Sequence, residues 1–204
     1  MRILFRASTL GWKSYHSFAK RMKELIPDIS FGVEGGLNLA LDFFKKQNDI
    51  DYWIFEKDDS TFIPNHIDFD MLREFEENLQ YKSLWRVISG DRGLGRAFLH
   101  GAIGYDFDRK SDQDQILRSF IGTIIKYQTV FDEFKPDIYI PAIGMGDVGT
   151  TIKEEICKKR NILYMVPSTT RIKNYFSFSD NIQLLFPQID GTYSKLIKDY
   201  NNND

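Results

Sequence analysis

The segment Lys135–Arg171 reads KPDIYIPAIGMGDVGTTIKEEICKKRNILYMVPSTTR. It divides into an apolar strand (Asp137–Ala142), a glycine-rich turn (Gly144-Met145-Gly146-Asp147), a helix (Val148–Arg160) and a second strand (Leu163–Val166). Both apolar runs are short and bounded by Pro or Gly. A link that carries a helix makes no hairpin, so the two strands are expected to run parallel through a crossover. In open parallel sheets, ligands bind where such turns meet the carboxyl ends of the strands. The functional residues are therefore sought around Gly144–Thr151 and just after Val166.

Outward from this unit the pattern repeats. Ile3–Phe5 reads as a strand and Ala7–Gly11 as the turn after it. Tyr15–Ile26 places Tyr15, Phe18, Ala19, Met22, Leu25 and Ile26 at helical spacing, and Pro27 stops it. Ile29–Val33 reads as a strand, Leu37–Lys46 as a helix with Leu37, Ala40, Leu41 and Phe44 inward, and Asp51–Glu56 as a third strand. Alternating strand and helix predicts an α/β fold: a three-layer, Rossmann-like domain with a mainly parallel sheet. Asp58–Lys110 departs from the alternation. It holds a polar loop to Asp68, helices over Phe69–Leu79 and Ser83–Ile88, and a stretch rich in glycine (Gly90, Gly93, Gly95, Gly101, Gly104). Residues 58–110 are read as an elaboration of one domain covering 1–200. Ser111–Phe134 is the most regular helix, with Ile116, Leu117, Phe120, Ile121, Ile124, Gln128 and Phe131 on one face; Lys135-Pro136 ends it. Beyond Val166 come a polar loop (Pro167–Asn174), an aromatic patch (Tyr175, Phe176, Phe178), an apolar run (Gln183–Phe186) and a helix (Thr192–Tyr200). Residues 201–204 are expected to fray.

Composition bounds the function classes. A chain of 204 residues with formal net charge −2 has no global drive toward nucleic acid. No apolar run approaches the roughly 18 residues needed to span a membrane. The single Cys157 leaves no internal disulfide or cysteine-based zinc site, and His16, His66 and His100 are widely spaced. The default expectation is a cytoplasmic protein without a metal.

Several clusters offer chemistry beside a plain structural role. Gly144, Gly146 and Asp147 precede a helix whose N-terminus could hold phosphate or carboxylate. They make neither a Walker A loop nor a complete dinucleotide fingerprint. Thr151 with Glu154 also fits a capping box, a purely structural device. Arg92 and Arg96, among glycines, present guanidinium groups suited to phosphate; the plain reading pairs them with Asp91. Arg171, with Lys173 and the hydroxyls of Ser168, Thr169 and Thr170, could hold a sugar or phosphate. Arg6, Ser8, Tyr15 and His16 surround the first turn. Tyr175, Phe176 and Phe178 could stack on a sugar ring or pack on the sheet. The paired carboxylates Asp58-Asp59 and Glu154-Glu155 are read as solvated.

The order SLWRVISGDRGLGRAF (83–98), a long helix ending EFKPDIYI (133–140), a Gly/Asp turn with its helix, and VPSTTRIKNYFSFSD (166–180) resembles the N-terminal region of capsular or surface polysaccharide biosynthesis proteins. These are similar to glycosyltransferases of the GT-B type. The resemblance covers roughly Lys82–Tyr193; the residues before it share only the strand–helix order. It rests on Asp91-Arg92, Gly95-Arg96, Lys135-Pro136-Asp137, and Arg171 with Phe176-Ser177-Phe178-Ser179-Asp180. It implies the acceptor-side half of a two-domain enzyme. Arg92, Arg96 and Arg171 would neutralise phosphate on a lipid-linked acceptor or on the donor, and Asp147 or Asp91 would orient a hydroxyl. No cofactor is assigned within the chain. The nucleotide-sugar donor is expected in a C-terminal domain or a partner chain, so the chain alone should transfer no sugar. The implied location is cytoplasmic, peripheral at the inner face of the membrane. Two other readings stay open: a non-catalytic carbohydrate- or partner-binding α/β module, and a small phosphate- or nucleotide-binding enzyme acting through Gly144–Thr151.

Overall fold

A computed structural model describes residues 1–7, 12–35, 38–55, 61–79, 83–91, 113–142, 148–169, 176–181 and 187–201. Five parallel strands form the main sheet: β1 (Arg2–Ala7), β2 (Ser30–Gly35), β3 (Tyr52–Phe55), β4 (Ile138–Ile140) and β5 (Leu163–Tyr164). Their order is β3-β2-β1-β4-β5, so β1 lies between β2 and β4. Ile3 lies opposite Phe31 on one side and Ile138 on the other, and Arg6 lies opposite Glu34.

Successive side chains of a strand leave opposite faces, and both faces here are apolar. Ile3, Phe5 and Ala7 of β1, with Phe31 and Val33 of β2, pack against Ala19 of α1 (Trp12–Leu25) and Ala40 and Phe44 of α2 (Asn38–Phe44). Leu4 and Tyr139 take the other face. They join Phe120, Phe131 and Phe134 of α5 (Gln113–Phe134) and Ile152 and Cys157 of α6 (Val148–Arg160). The chain thus winds α1 and α2 on one face and α5 and α6 on the other, as the strand–helix alternation predicts. Two further helices, α3 (Phe69–Asn78) and α4 (Leu84–Gly90), lie between β3 and α5 in the chain. They add Leu72, Leu84 and Ile88 to the α5–α6 core.

Local signals set the helix ends. Asp68 caps α3, its carboxylate accepting from Met71 N–H at 2.9 Å. Lys135, at φ 51°, turns the chain out of α5 just before Pro136. Asn161 does the same for α6 at φ 55°. There Ile162 N–H donates to Cys157 C=O at 2.9 Å and Asn161 N–H to Lys158 C=O at 3.3 Å, the two bonds of a Schellman motif.

The structure revises several expectations. Leu163–Val166 is not one strand. The parallel β5 ends at Tyr164, and Val166 opens β6 (Val166–Thr169), which pairs antiparallel with β7 (Phe176–Ser179) in a separate two-stranded sheet. The start of the expected polar loop is therefore extended, and Phe178, in β7, is half exposed. On α1, Ala19 is buried while Phe18 and Leu25 are exposed, because the buried face is narrower than the apolar spacing; Ile26, just past the end of α1, is exposed as well. Thr151 is the fourth residue of α6, inside the helix and not at its N-cap position. Glu154 is buried, not solvated, and Glu154 and Glu155 share Lys158 at 3.3 and 2.8 Å. Asn201 ends α7 (Pro187–Asn201); residues 202–204 lie outside the described part.

Candidate functional site

At the carboxyl edge the apolar faces give way to charge. Arg6 and Glu34, one residue from the ends of β1 and β2, stand opposite each other toward α5 and α6. Glu34 is 1 % exposed. Its Oε1 accepts from Lys153 Nζ of α6 at 2.7 Å and from the Tyr139 hydroxyl of β4 at 2.5 Å. Its Oε2 accepts from the Tyr127 hydroxyl of α5 at 2.9 Å, with Arg6 Nη1 at 3.8 Å. Lys153 Nζ also lies 3.3 Å from the Tyr127 hydroxyl and 4.5 Å from the centre of that ring. Two strand and two helix residues thus converge on one carboxylate.

Charge fixes the protonation states. Burial pushes the Glu34 carboxyl upward, but Lys153, Arg6 and the hydrogen bonds from Lys153 and Tyr139 outweigh it and hold the pKa at about 2. Burial and the Glu34 charge raise the Tyr139 hydroxyl well above its ordinary range, so it remains a donor. The cluster is a fixed, ionised assembly.

Two contacts order the crevice between β1 and β4, where the winding direction changes. Tyr15 of α1 stacks on Phe5 at 5.3 Å and donates its hydroxyl to Pro141 C=O at 3.2 Å. Burial pushes its pKa up to about 12. On the other side, Asp91 accepts from Val148 N–H, the first residue of α6, at 2.8 Å. A carboxylate at a helix N-terminus satisfies an unpaired donor and complements the dipole. This bond joins the residue before Arg92 to the residue after Asp147.

The sequence-expected site residues Arg92, Arg96, Gly144, Gly146, Asp147 and Arg171 lie outside the described residues, as do Ser8 and His100. Among the clusters that are described, His16 is structural: its Nε2 meets both Asp49 oxygens at 3.0 and 2.9 Å, and its ring packs edge-on against Phe43. Glu34, Lys153, Tyr127 and Tyr139 are not among the candidate site residues of the sequence motifs described above. The signal was a charged residue one step beyond an apolar run in β2, since a parallel strand covered on both faces rarely carries one. A strand bounded at Val33 leaves Glu34 in a turn, and one bounded at Phe5 leaves Arg6 outside it.

A groove of about 650 Å³ between α3, α5 and α6 lies away from this edge. Met71, Phe75, Ile124 and Ile156 line it, and the Lys159–Glu74 ion pair bridges its sides. Among the described residues, no helix is long and apolar enough to cross a membrane, and no group of three or more His, Cys, Asp or Glu could hold a metal ion.

Comparison with protein-family models, curated proteins and solved structures finds no match. Fold and site together define a Rossmann-like α/β protein with a buried ionised cluster beneath the carboxyl edge of its sheet.

Proposed function

We propose that the chain is the acceptor-side domain of a glycosyltransferase-like protein in capsular or surface polysaccharide biosynthesis. The observation that carries the reading is the all-parallel β3-β2-β1-β4-β5 sheet with its polar carboxyl edge between β1 and β4. GT-B halves are domains of this type, and ligands of open α/β sheets sit at such a change of winding. In this reading Arg92, Arg96 and Arg171 neutralise phosphate on a lipid-linked acceptor or on the donor. Gly144 and Gly146 let backbone approach the ligand, and Asp147 orients the acceptor hydroxyl. The Glu34–Lys153 cluster keeps the ends of β1, β2 and β4 in fixed relation at this edge. The nucleotide-sugar donor belongs to a further domain or partner chain, and the protein works at the cytoplasmic face of the membrane.

The small phosphate-binding enzyme is disfavoured by Asp91. Its carboxylate already complements the N-terminus of α6, where a phosphate would otherwise bind.

Calorimetric titration with a short-chain prenyl-diphosphate sugar, and separately with UDP and UDP-sugars, tests the reading. The prenyl-diphosphate sugar should bind. Its affinity should fall as salt is raised and in Arg92→Ala, Arg96→Ala and Arg171→Ala. Binding of UDP without the prenyl-diphosphate sugar would favour the nucleotide-binding enzyme. Binding of neither would overturn the ligand assignment.

A further inference from the structure

Helix α7 leaves an apolar stripe in water. Tyr193, Leu196, Ile197 and Tyr200 are 64, 61, 42 and 72 % exposed. Their spacing of i, i+3, i+4 and i+7 puts them on one side of the helix. At about 3.6 residues per turn, Lys195 and Lys198 fall on the opposite side. A solitary helix of this length is marginal in water, and α7 also contains Gly191, with open space around its Cα. Burying the stripe is what would make α7 a stable element.

The sequence of the stripe indicates its partner. Read from either end it is nearly the same: Tyr193 and Leu196 from one, Tyr200 and Ile197 from the other. A two-fold axis between Leu196 and Ile197 would set Tyr193 of one copy against Tyr200 of the next, and Leu196 against Ile197. That self-complementarity is what a closed, isologous contact requires. Charge agrees. Residues 187–201 contain Asp190, Lys195, Lys198 and Asp199 and no other charged side chain, so the helix carries no net charge to draw it to an anionic lipid surface. With both lysines on the far side, like charges do not meet across the seam. Tyrosines at both ends of the stripe also suit a protein interface.

We propose that α7 pairs antiparallel with α7 of a second copy of this chain through Tyr193, Leu196, Ile197 and Tyr200. The contact is small beside the roughly 1,600 Å² of a standard interface, so the dimer forms in a concentration-dependent way. This surface is separate from the carboxyl-edge site and does not depend on the ligand reading.

Sedimentation of the full chain tests the pairing. The mass should rise from 23.9 kDa toward twice that value as concentration is raised. Leu196→Glu should weaken association at least tenfold. To fix the geometry, Tyr193→Cys and Tyr200→Cys variants carrying tags of different mass are mixed and oxidised. The mixed disulfide should form faster than either self-disulfide. A monomer at every concentration, association untouched by Leu196→Glu, or self-disulfides forming as fast as the mixed one would each overturn the proposal. Far-UV circular dichroism and native-state protection of the buried Cys157 thiol report whether a variant is still folded.

Discussion

Lys153 Nζ lies 2.7 Å from Glu34 Oε1, and neither side chain reaches solvent. Removing one partner leaves the other ionised and buried, which costs about 3–5 kcal/mol. Lys153→Met should therefore destabilise by that amount in urea unfolding. Glu34→Leu combined with Lys153→Met should recover at least half of the loss, because the pair then leaves the core together. A double variant as unstable as the single would show that the loss of the Glu34 acceptor for Arg6, Tyr127 and Tyr139, or packing around Lys153, and not the charge left behind, sets the cost.

The same carboxylate predicts a pH dependence. Glu34 titrates at about 2 in the folded chain against 4.5 for an unperturbed carboxyl. A depressed folded pKa means the unfolded chain takes up the proton first as pH falls. The stabilisation is complete above about pH 4.5 and is lost progressively down to about pH 2, on the order of 3 kcal/mol. Denaturant titrations at several pH values should show a steeper acid loss for the wild type than for Glu34→Gln. Parallel profiles would mean that other carboxylates carry the acid sensitivity.

The strand–helix alternation was legible because hydrophobic period and Pro/Gly punctuation are local. Val148–Arg160 is a helix with the bounds read from sequence, since Asp147 and Asn161 flank a continuous helical run. The end of the sheet was not legible in the same way. Leu163–Val166 looks like one apolar strand, and only its pairing shows that Tyr164 stays with β4 while Val166 turns to β7. The buried cluster was less legible still. Arg6, Glu34, Tyr127, Tyr139 and Lys153 are scattered over the chain, and none of them alone marks a cluster. They meet because register sets Arg6 against Glu34 while α5 and α6 cross that edge. Asp91 belongs to the same class: its carboxylate accepts from Val148 N–H, 57 residues away, a contact that no local pattern announces.

Two glycines should respond to alanine with opposite signs. A Cβ on Gly32 would lie 3.0 Å from Leu4 Cδ1 and from Phe134 Cε1, both in the packed core. Gly32→Ala should destabilise by about 1–3 kcal/mol, the usual cost of overpacking. Gly191 meets nothing within 4 Å, and its helix gains from a better helix former. Gly191→Ala should stabilise α7 by about 0.5–1 kcal/mol, read as increased helicity in circular dichroism. A destabilising Gly191→Ala would indicate a close neighbour at that position.

Cys157 is buried in the α5–α6 core, and burial pushes its thiol up to about 12. The thiolate is the reactive form, so a disulfide reagent at neutral pH should not label the folded chain. Labelling should follow the unfolding transition in denaturant, giving a probe of the core independent of circular dichroism. Fast labelling without denaturant would mean that α6 opens locally.

Asp91 holds the first turn of α6 through its bond to Val148 N–H at 2.8 Å, and the contribution has two separable parts. The side-chain oxygen satisfies a helix N–H that has no partner within the helix. Its negative charge also complements the positive end of the helix dipole. Asparagine retains an acceptor and loses the charge, whereas alanine loses both. Asp91→Ala should therefore cost about 1–2 kcal/mol and Asp91→Asn about 0.3–1 kcal/mol. The dipole part is screened by salt, so the gap between wild type and Asp91→Asn should narrow as ionic strength is raised, while the gap between Asn and Ala should not. Thermal melts of the three proteins across a salt series separate the terms. Equal loss in both variants at all salt concentrations would mean that the charge carries the whole effect through a partner other than α6, and Asp91 would not be its cap.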